Sequence, residues 1–173
     1  MSPPATRLFF ALWPAPDVAQ EIDAGWAAPA HAHCGGRRMR PDTLHLTLAF
    51  LGNVDPGQVA PLKSIARALP VAPGTIRLER YGRFDRPGVV WAGPAEADAA
   101  LLALHAALWQ ALAPLGYAPT EPTYRPHVTL LRNTRTDPPD APAPLVWHYD
   151  RCVLVQSDPG GQARYHVLAH SGG

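Results

Sequence analysis

Histidine titrates near neutral pH, so two histidines brought together can supply a base and an acid to one reaction. The chain carries two short stretches suited to that. The first is His45-Leu46-Thr47-Leu48; the second, 82 positions later (127 minus 45), is His127-Val128-Thr129-Leu130. Both run on into apolar residues, Ala49-Phe50-Leu51 after the first and Leu131, then Arg132, after the second. Alternation of this kind reads as a strand, whose side chains point to opposite faces with period two. His45 and Thr47 then share one face, about 7 Å apart, while Leu46 and Leu48 take the other and can enter a core. His127 and Thr129 behave in the same way. If the two strands lie side by side, two imidazoles and two hydroxyls converge on one small volume.

Such a volume suits phosphodiester chemistry. One imidazole takes a proton from the attacking oxygen and the other gives one to the leaving oxygen. Thr47 and Thr129 can donate to the non-bridging phosphate oxygens, and a cation such as Arg132 would stabilise charge on a five-coordinate phosphorus. Arg132 lies three positions beyond Thr129, however. Odd spacing puts it on the opposite face of an ideal strand, so it reaches the phosphate only past the strand end or a bulge. A metal centre is the weaker reading, because neither motif supplies a third His, Cys or carboxylate ligand. No metal and no cofactor is expected.

Composition narrows the alternatives. With 173 residues and 47% apolar content, the chain can build one domain, residues 1–173, or two small lobes sharing a cleft. A net charge of +1 argues against coating a long nucleic-acid backbone and favours recognition of an end. Lys63 is the lone lysine among 15 basic residues. Arginine suits bidentate phosphate contacts, although a GC-rich genome explains the overall bias. No apolar run approaches the ~20 residues needed to span a bilayer, and the N-terminal residues lack a basic-then-apolar leader. A cytoplasmic monomer is therefore expected. Cys34 and Cys152 have no CxxC spacing and read as idle thiols, with a disulfide open but not implied.

The elements that must position the motifs follow in order. Arg7 to Trp13 reads as a strand, and Asp17 as the cap of a helix to about Trp26. Pro29 to Gly36 reads as a loop, and its His31 and His33 as a solvated pair rather than metal ligands. The first motif strand ends at a Gly52-Asn53 turn. Asp55-Pro56 opens a helix with Val59, Leu62, Ile65, Ala66 and Leu69 on its apolar face. Thr75 to Tyr81 alternates as a strand; Gly82 to Gly88 is a turn; Val89 to Ala92 is a buried strand. Glu96 to Leu115 is the longest helix, with Gly116 as its stop and His105 beside its leucine stripe as a packing or surface residue. Thr120 to Pro126 approaches the second motif. Asn133 to Pro144 is a proline-rich loop, followed by a strand from Leu145 to Gln156, a turn at Ser157 to Gly161, a closing strand from Ala163 to Ala169 and a frayed end. This order favours an α+β fold with antiparallel sheet over a doubly wound one. The repeat suggests two lobes, each giving one His-Thr strand to a central cleft.

At these residues the chain resembles the 2H phosphoesterase superfamily, and within it the RNA 2′,3′-cyclic phosphodiesterases, also called 2′-5′ RNA ligases. The resemblance covers Arg7 to Leu12, Leu44 to Gly52, Val89 to Trp91 and Pro126 to Arg132. It implies a bilobal fold and metal-free hydrolysis of a terminal ribose 2′,3′-cyclic phosphate to a 2′-phosphate. Its implied partners are RNA ends carrying that phosphate, or cyclic nucleotides. It also implies His127 as the base, His45 as the acid, and Thr47, Thr129 and Arg132 as phosphate holders. Phe9, Phe10 or Trp91 could stack a base or simply pack the core; Arg125 could lie at the surface or greet the RNA. Two other readings stand beside this one: reversible 2′-5′ joining of tRNA halves, and a nucleotide-binding module without turnover.

Overall fold

The computed structural model describes residues 6–86, 88–158 and 164–172. Ten strands and three helical stretches follow in the order β1 (Thr6–Leu12), α1 (Pro16–Ile22), a π-helical turn (Asp23–Ala27), α2 (Ala28–Cys34), β2 (Arg37–Arg38), β3 (Leu46–Val54), α3 (Val59–Ala68), β4 (Gly74–Leu78), β5 (Arg80–Phe84), β6 (Val89–Gly93), α4 (Ala99–Leu112), β7 (Val128–Arg132), β8 (Leu145–Tyr149), β9 (Val153–Asp158) and β10 (Arg164–His170). Every pairing is antiparallel, so the expected α+β class with antiparallel sheet holds.

One eight-stranded sheet runs β10-β9-β1-β3-β7-β6-β5, with β2 also on β7; β4 and β8 form a separate two-stranded sheet. Its halves meet where Leu46 of β3 pairs with Val128 of β7. The same stretch of chain then returns to β7: Met39 N–H donates to the Leu130 carbonyl at 2.9 Å, and Arg37 and Arg38 pair with Arg132 and Leu131. Leu8, Phe10 and Leu12 of β1 join Leu46 and Leu48 in the main core beneath Ile22, Trp26, Leu62 and the α4 leucines 101, 104, 108 and 112. Phe9 and Ala11 point the other way, into a small second cluster with Val153 and Val155. The period-two pattern of β1 thus separates the core face from the face that carries the histidines.

Several boundaries differ from the sequence expectation. The first helix does not stop at Trp26 but runs to Cys34, with Ala28 N–H bonding the Asp23 carbonyl five residues back. A wide π turn makes room for Pro29, which would clash in a regular helix. Ala15, not Asp17, is its N-cap. His31 and His33 therefore sit in a last helical turn rather than a loop. Gly52-Asn53 is no turn: β3 continues to Val54 through a bulge, with Gly52 at φ 71°. β5 runs to Phe84, so Gly82 is a strand residue; a Cβ there would collide with the Trp91 indole, which explains the glycine. The expected Thr75–Tyr81 and Leu145–Gln156 strands are each broken in two, because β4 and β8 pair with each other in the second sheet while β5 and β9 join the large one. The expected long helix starts at Ala99, where Asp98 Oδ1 accepts from Leu101 N–H at 2.8 Å, and Gly116 closes it at φ 94°. The closing strand is Arg164–His170. Of the expected turns and ends, residues 1–5, 87, 159–163 and 173 lie outside the described residues.

Candidate active site

The site grows from the Leu46–Val128 pair. Both side chains are buried in the core. Continued by one residue each way, the antiparallel register sets His45 across from Thr129 and Thr47 across from His127, all four on the face opposite the core. Both histidines feel one charge field, since the charge of His127 acts on His45. The register therefore sets the two histidines and the two threonines of the motifs on one face of the sheet.

Each imidazole is held in the same way. His45 Nδ1 lies 2.8 Å from the Thr43 carbonyl, and His127 Nδ1 lies 2.8 Å from the Arg125 carbonyl, two residues back in both cases. A carbonyl only accepts, so Nδ1 carries the proton and Nε2 is left for exchange with substrate. Arg125 thus positions His127 through its backbone, while its side chain is exposed.

The surroundings of the two rings differ. His45 stacks on Trp13 at 4.7 Å between ring centroids and 8° between planes, with Phe9 at 5.0 Å and Tyr165 at 5.4 Å. His127 meets the edge of Phe84 at 5.3 Å and lies 5.8 Å from Trp91. Burial pushes His45 down to about 4, helped by the charges of His127 and Arg132 and opposed by the Thr43 carbonyl. Burial also lowers His127, with the Arg125 carbonyl opposing and the Arg125 charge adding to it. Both rings are therefore neutral in the unliganded protein at pH 7.

Arg132 reaches this face because β7 is bulged. Trp91 pairs with Thr129 and Val90 with Leu131, which leaves Leu130 as an extra residue. Leu130 and Leu131 are both buried, and Arg132 turns back to the side of Thr129. β3 repeats the device: Ala11 pairs with Thr47 and Phe10 with Ala49, so Leu48 is the extra residue.

Of the aromatics singled out in the sequence, Phe9 lies under His45 and Trp91 beside His127, whereas Phe10 faces the core. Trp13, Phe84 and Tyr165 were missed as neighbours of the site. Trp13 continues the Phe9–Ala11 face at period two, a usable signal. Phe84 was hidden by the mistaken turn, and Tyr165 arrives from the last strand with no local signal at all. Tyr124 was also missed. Its hydroxyl donates to the Thr47 carbonyl at 2.8 Å, tying the approach loop to the first motif. Its ring stacks on His105 at 3.8 Å, and His105 Nε2 accepts from Trp109 Nε1, so His105 is a packing residue. Among the described residues no three His, Cys, Asp or Glu gather as a metal site.

A family model described as the 2′-5′ RNA ligase superfamily matches residues 14–158. The chain belongs to that superfamily. Among its members, the chain is 31% identical to the RNA 2′,3′-cyclic phosphodiesterase of Escherichia coli (strain K12) over 94% of its own length and 93% of the relative's. It is 35% identical to the protein of the same name from Geobacillus stearothermophilus over 72% of this chain and 44% of that one. Among solved structures it resembles E. coli LigT complexed with 3′-AMP, at TM-score 0.84 and 29% identity over 96% of this chain and 97% of that one. It also resembles TT0787 of Thermus thermophilus, at TM-score 0.77 and 27% identity over 95% and 96%.

Proposed function

We propose that this protein is an RNA 2′,3′-cyclic phosphodiesterase that hydrolyses a terminal 2′,3′-cyclic phosphate to a 2′-phosphate. The observation that carries the reading is the register that brackets Leu46 and Val128 with two histidines and two threonines, in a chain 31% identical over nearly its whole length to a relative of that name. His127 takes a proton from water through Nε2 as the water oxygen attacks phosphorus. The bond from phosphorus to the 3′ oxygen breaks, and His45 gives the proton of its Nε2 to that oxygen. Thr47, Thr129 and Arg132 hold the phosphate. The unliganded protein keeps both rings neutral; a bound phosphodiester anion offsets the burial that disfavours the His45 imidazolium, and the Trp13 face beneath it adds attraction.

The chain is one domain of two pseudo-symmetric lobes, and it acts as a monomer, since one chain supplies both histidines. It works in the cytoplasm: Cys34 and Cys152 are both buried and free, as befits a reducing compartment. No helix among the described residues is long and apolar enough to cross a membrane. The test is to incubate the protein with an RNA oligomer ending in a 2′,3′-cyclic phosphate, with and without chelator, and identify the product by mass and phosphatase sensitivity. A 2′-phosphate formed equally in both samples is expected. An unaltered cyclic end would overturn the reading, and a 2′-5′ junction formed from two RNA ends would redirect it to joining.

A further inference from the structure

The cleft face of the large sheet is more basic than a net charge of +1 suggests. Rows of paired residues define it: Tyr165, Ser157, Arg7 and Asn53; Val167, Val155, Phe9 and Phe50; Thr129, Trp91 and Gly82; Arg80 and Gly93; Arg37 and Arg132. None of these positions holds an aspartate or glutamate. Arg37 stands directly across from Arg132, while its neighbour Arg38 faces the other way and pairs with Asp23 at 2.8 Å. The charges of Arg132, Arg37, Arg40 and Arg7 all reach the Tyr165 hydroxyl, and Tyr165 packs on His45. One guanidinium is enough for the reacting phosphate. A second, set opposite it on a strand pair, suits another phosphate of the same strand, which arginine's planar fork can grip in two places.

We propose that Arg37 holds the phosphate linking the cyclic end to the preceding nucleotide, so that the protein selects an RNA strand over a cyclic mononucleotide. This rests on the phosphodiesterase reading above.

The test compares kcat/KM for adenosine 2′,3′-cyclic phosphate with that for a dinucleotide bearing the same cyclic end, in the wild type, in Arg37→Ala and in Arg67→Ala, which removes an exposed cation from α3. The wild type favours the dinucleotide by roughly tenfold, the scale of one charge-assisted phosphate contact, and Arg37→Ala loses that preference while Arg67→Ala keeps it. In the wild type, log kcat/KM falls more steeply with log salt for the dinucleotide than for the mononucleotide, because its extra phosphate contact is screened. Should Arg37→Ala fail to fold, Arg37→Gln takes its place, because it keeps much of the stem and loses the charge. Equal preference in the wild type and Arg37→Ala, equal salt slopes, or both substrates losing the same factor in Arg37→Ala would overturn the assignment. Hydrolysis of neither substrate by the wild type would instead remove the reading beneath it.

Discussion

Phe50 and Arg132 occupy equivalent places in the two histidine strands. Each lies five residues beyond its histidine (50 minus 45; 132 minus 127), and each is turned to the cleft face by a bulged leucine, Leu48 or Leu130. The repeat is therefore symmetric in backbone and asymmetric in chemistry. One arm ends in an aromatic ring that is 54% exposed, with the Arg7 guanidinium 5.6 Å from its centroid. The other ends in a cation whose charge reaches His45.

That asymmetry fits the proposed role of Arg132 as the charge beside the reacting phosphate. Arg132→Ala is expected to lower kcat by about 10²–10³, the scale of one lost donor to a developing charge, with the thermal midpoint unchanged. Arg132→Lys should recover part of the loss, because a point charge remains but the fork does not. Steady-state kinetics on a cyclic nucleotide decides it; wild-type kcat in Arg132→Ala would move the phosphate elsewhere.

In the proposed reaction the two histidines share one proton-transfer cycle. His45→Ala and His127→Ala should each cost about 10²–10⁴ in kcat/KM, and the double variant should cost little more than the worse single one. If the two losses multiply, the imidazoles are not working on the same step.

Both imidazoles are held below the usual histidine value of 6.5, and the signs follow. The proposed reaction needs one ring neutral and one charged, so kcat/KM should peak below pH 6.5 and fall as pH rises and the imidazolium is lost. The limb in kcat should lie higher, because bound phosphodiester favours the charged ring. Stability responds separately. Between pH 6.5 and about 4 the unfolded chain binds a proton at His45 that the folded chain refuses. Stability therefore falls as pH falls through that window and is unaffected by His45 above it. His45→Gln should flatten the fall, as read from urea midpoints at pH 7 and pH 5; an identical pH slope in the variant would contradict the assignment.

Gly82 carries the floor beneath His127. A Cβ at this position would run into the Trp91 ring, which itself lies 5.8 Å from His127. Gly82→Ala is expected to cost about 1–3 kcal/mol by overpacking and to lower activity as Trp91 shifts. Gly25→Ala is the contrast: nothing lies within 4 Å of an added Cβ there. Because Gly25 lies within the helical run Asp23–Ala27, the variant's unfolding free energy should rise by about 0.5–1 kcal/mol, read from urea denaturation.

The amino-acid order alone determined the site's inventory. His45, Thr47, His127 and Thr129 were legible because period-two alternation is a local property, and two matching copies name the strands that must meet. The class of fold followed from the same patterning, as did the stop at Gly116, where a left-handed residue needs glycine. What only the folded chain decided was pairing. Leu46 finds Val128 across 82 positions (128 minus 46), and no local pattern specifies a register between distant strands. The bulge at Leu130 has no residue signature either; it shows only in the pairing of β6 with β7 on both sides of it, and it turns Arg132 to the face of Thr129. The same holds for Tyr165, brought against His45 from the last strand, and for the lowered titration of both histidines, which is set by burial under side chains remote in sequence. Side-chain type and spacing are written residue by residue, whereas register and burial are shared properties of segments that meet only when the core closes.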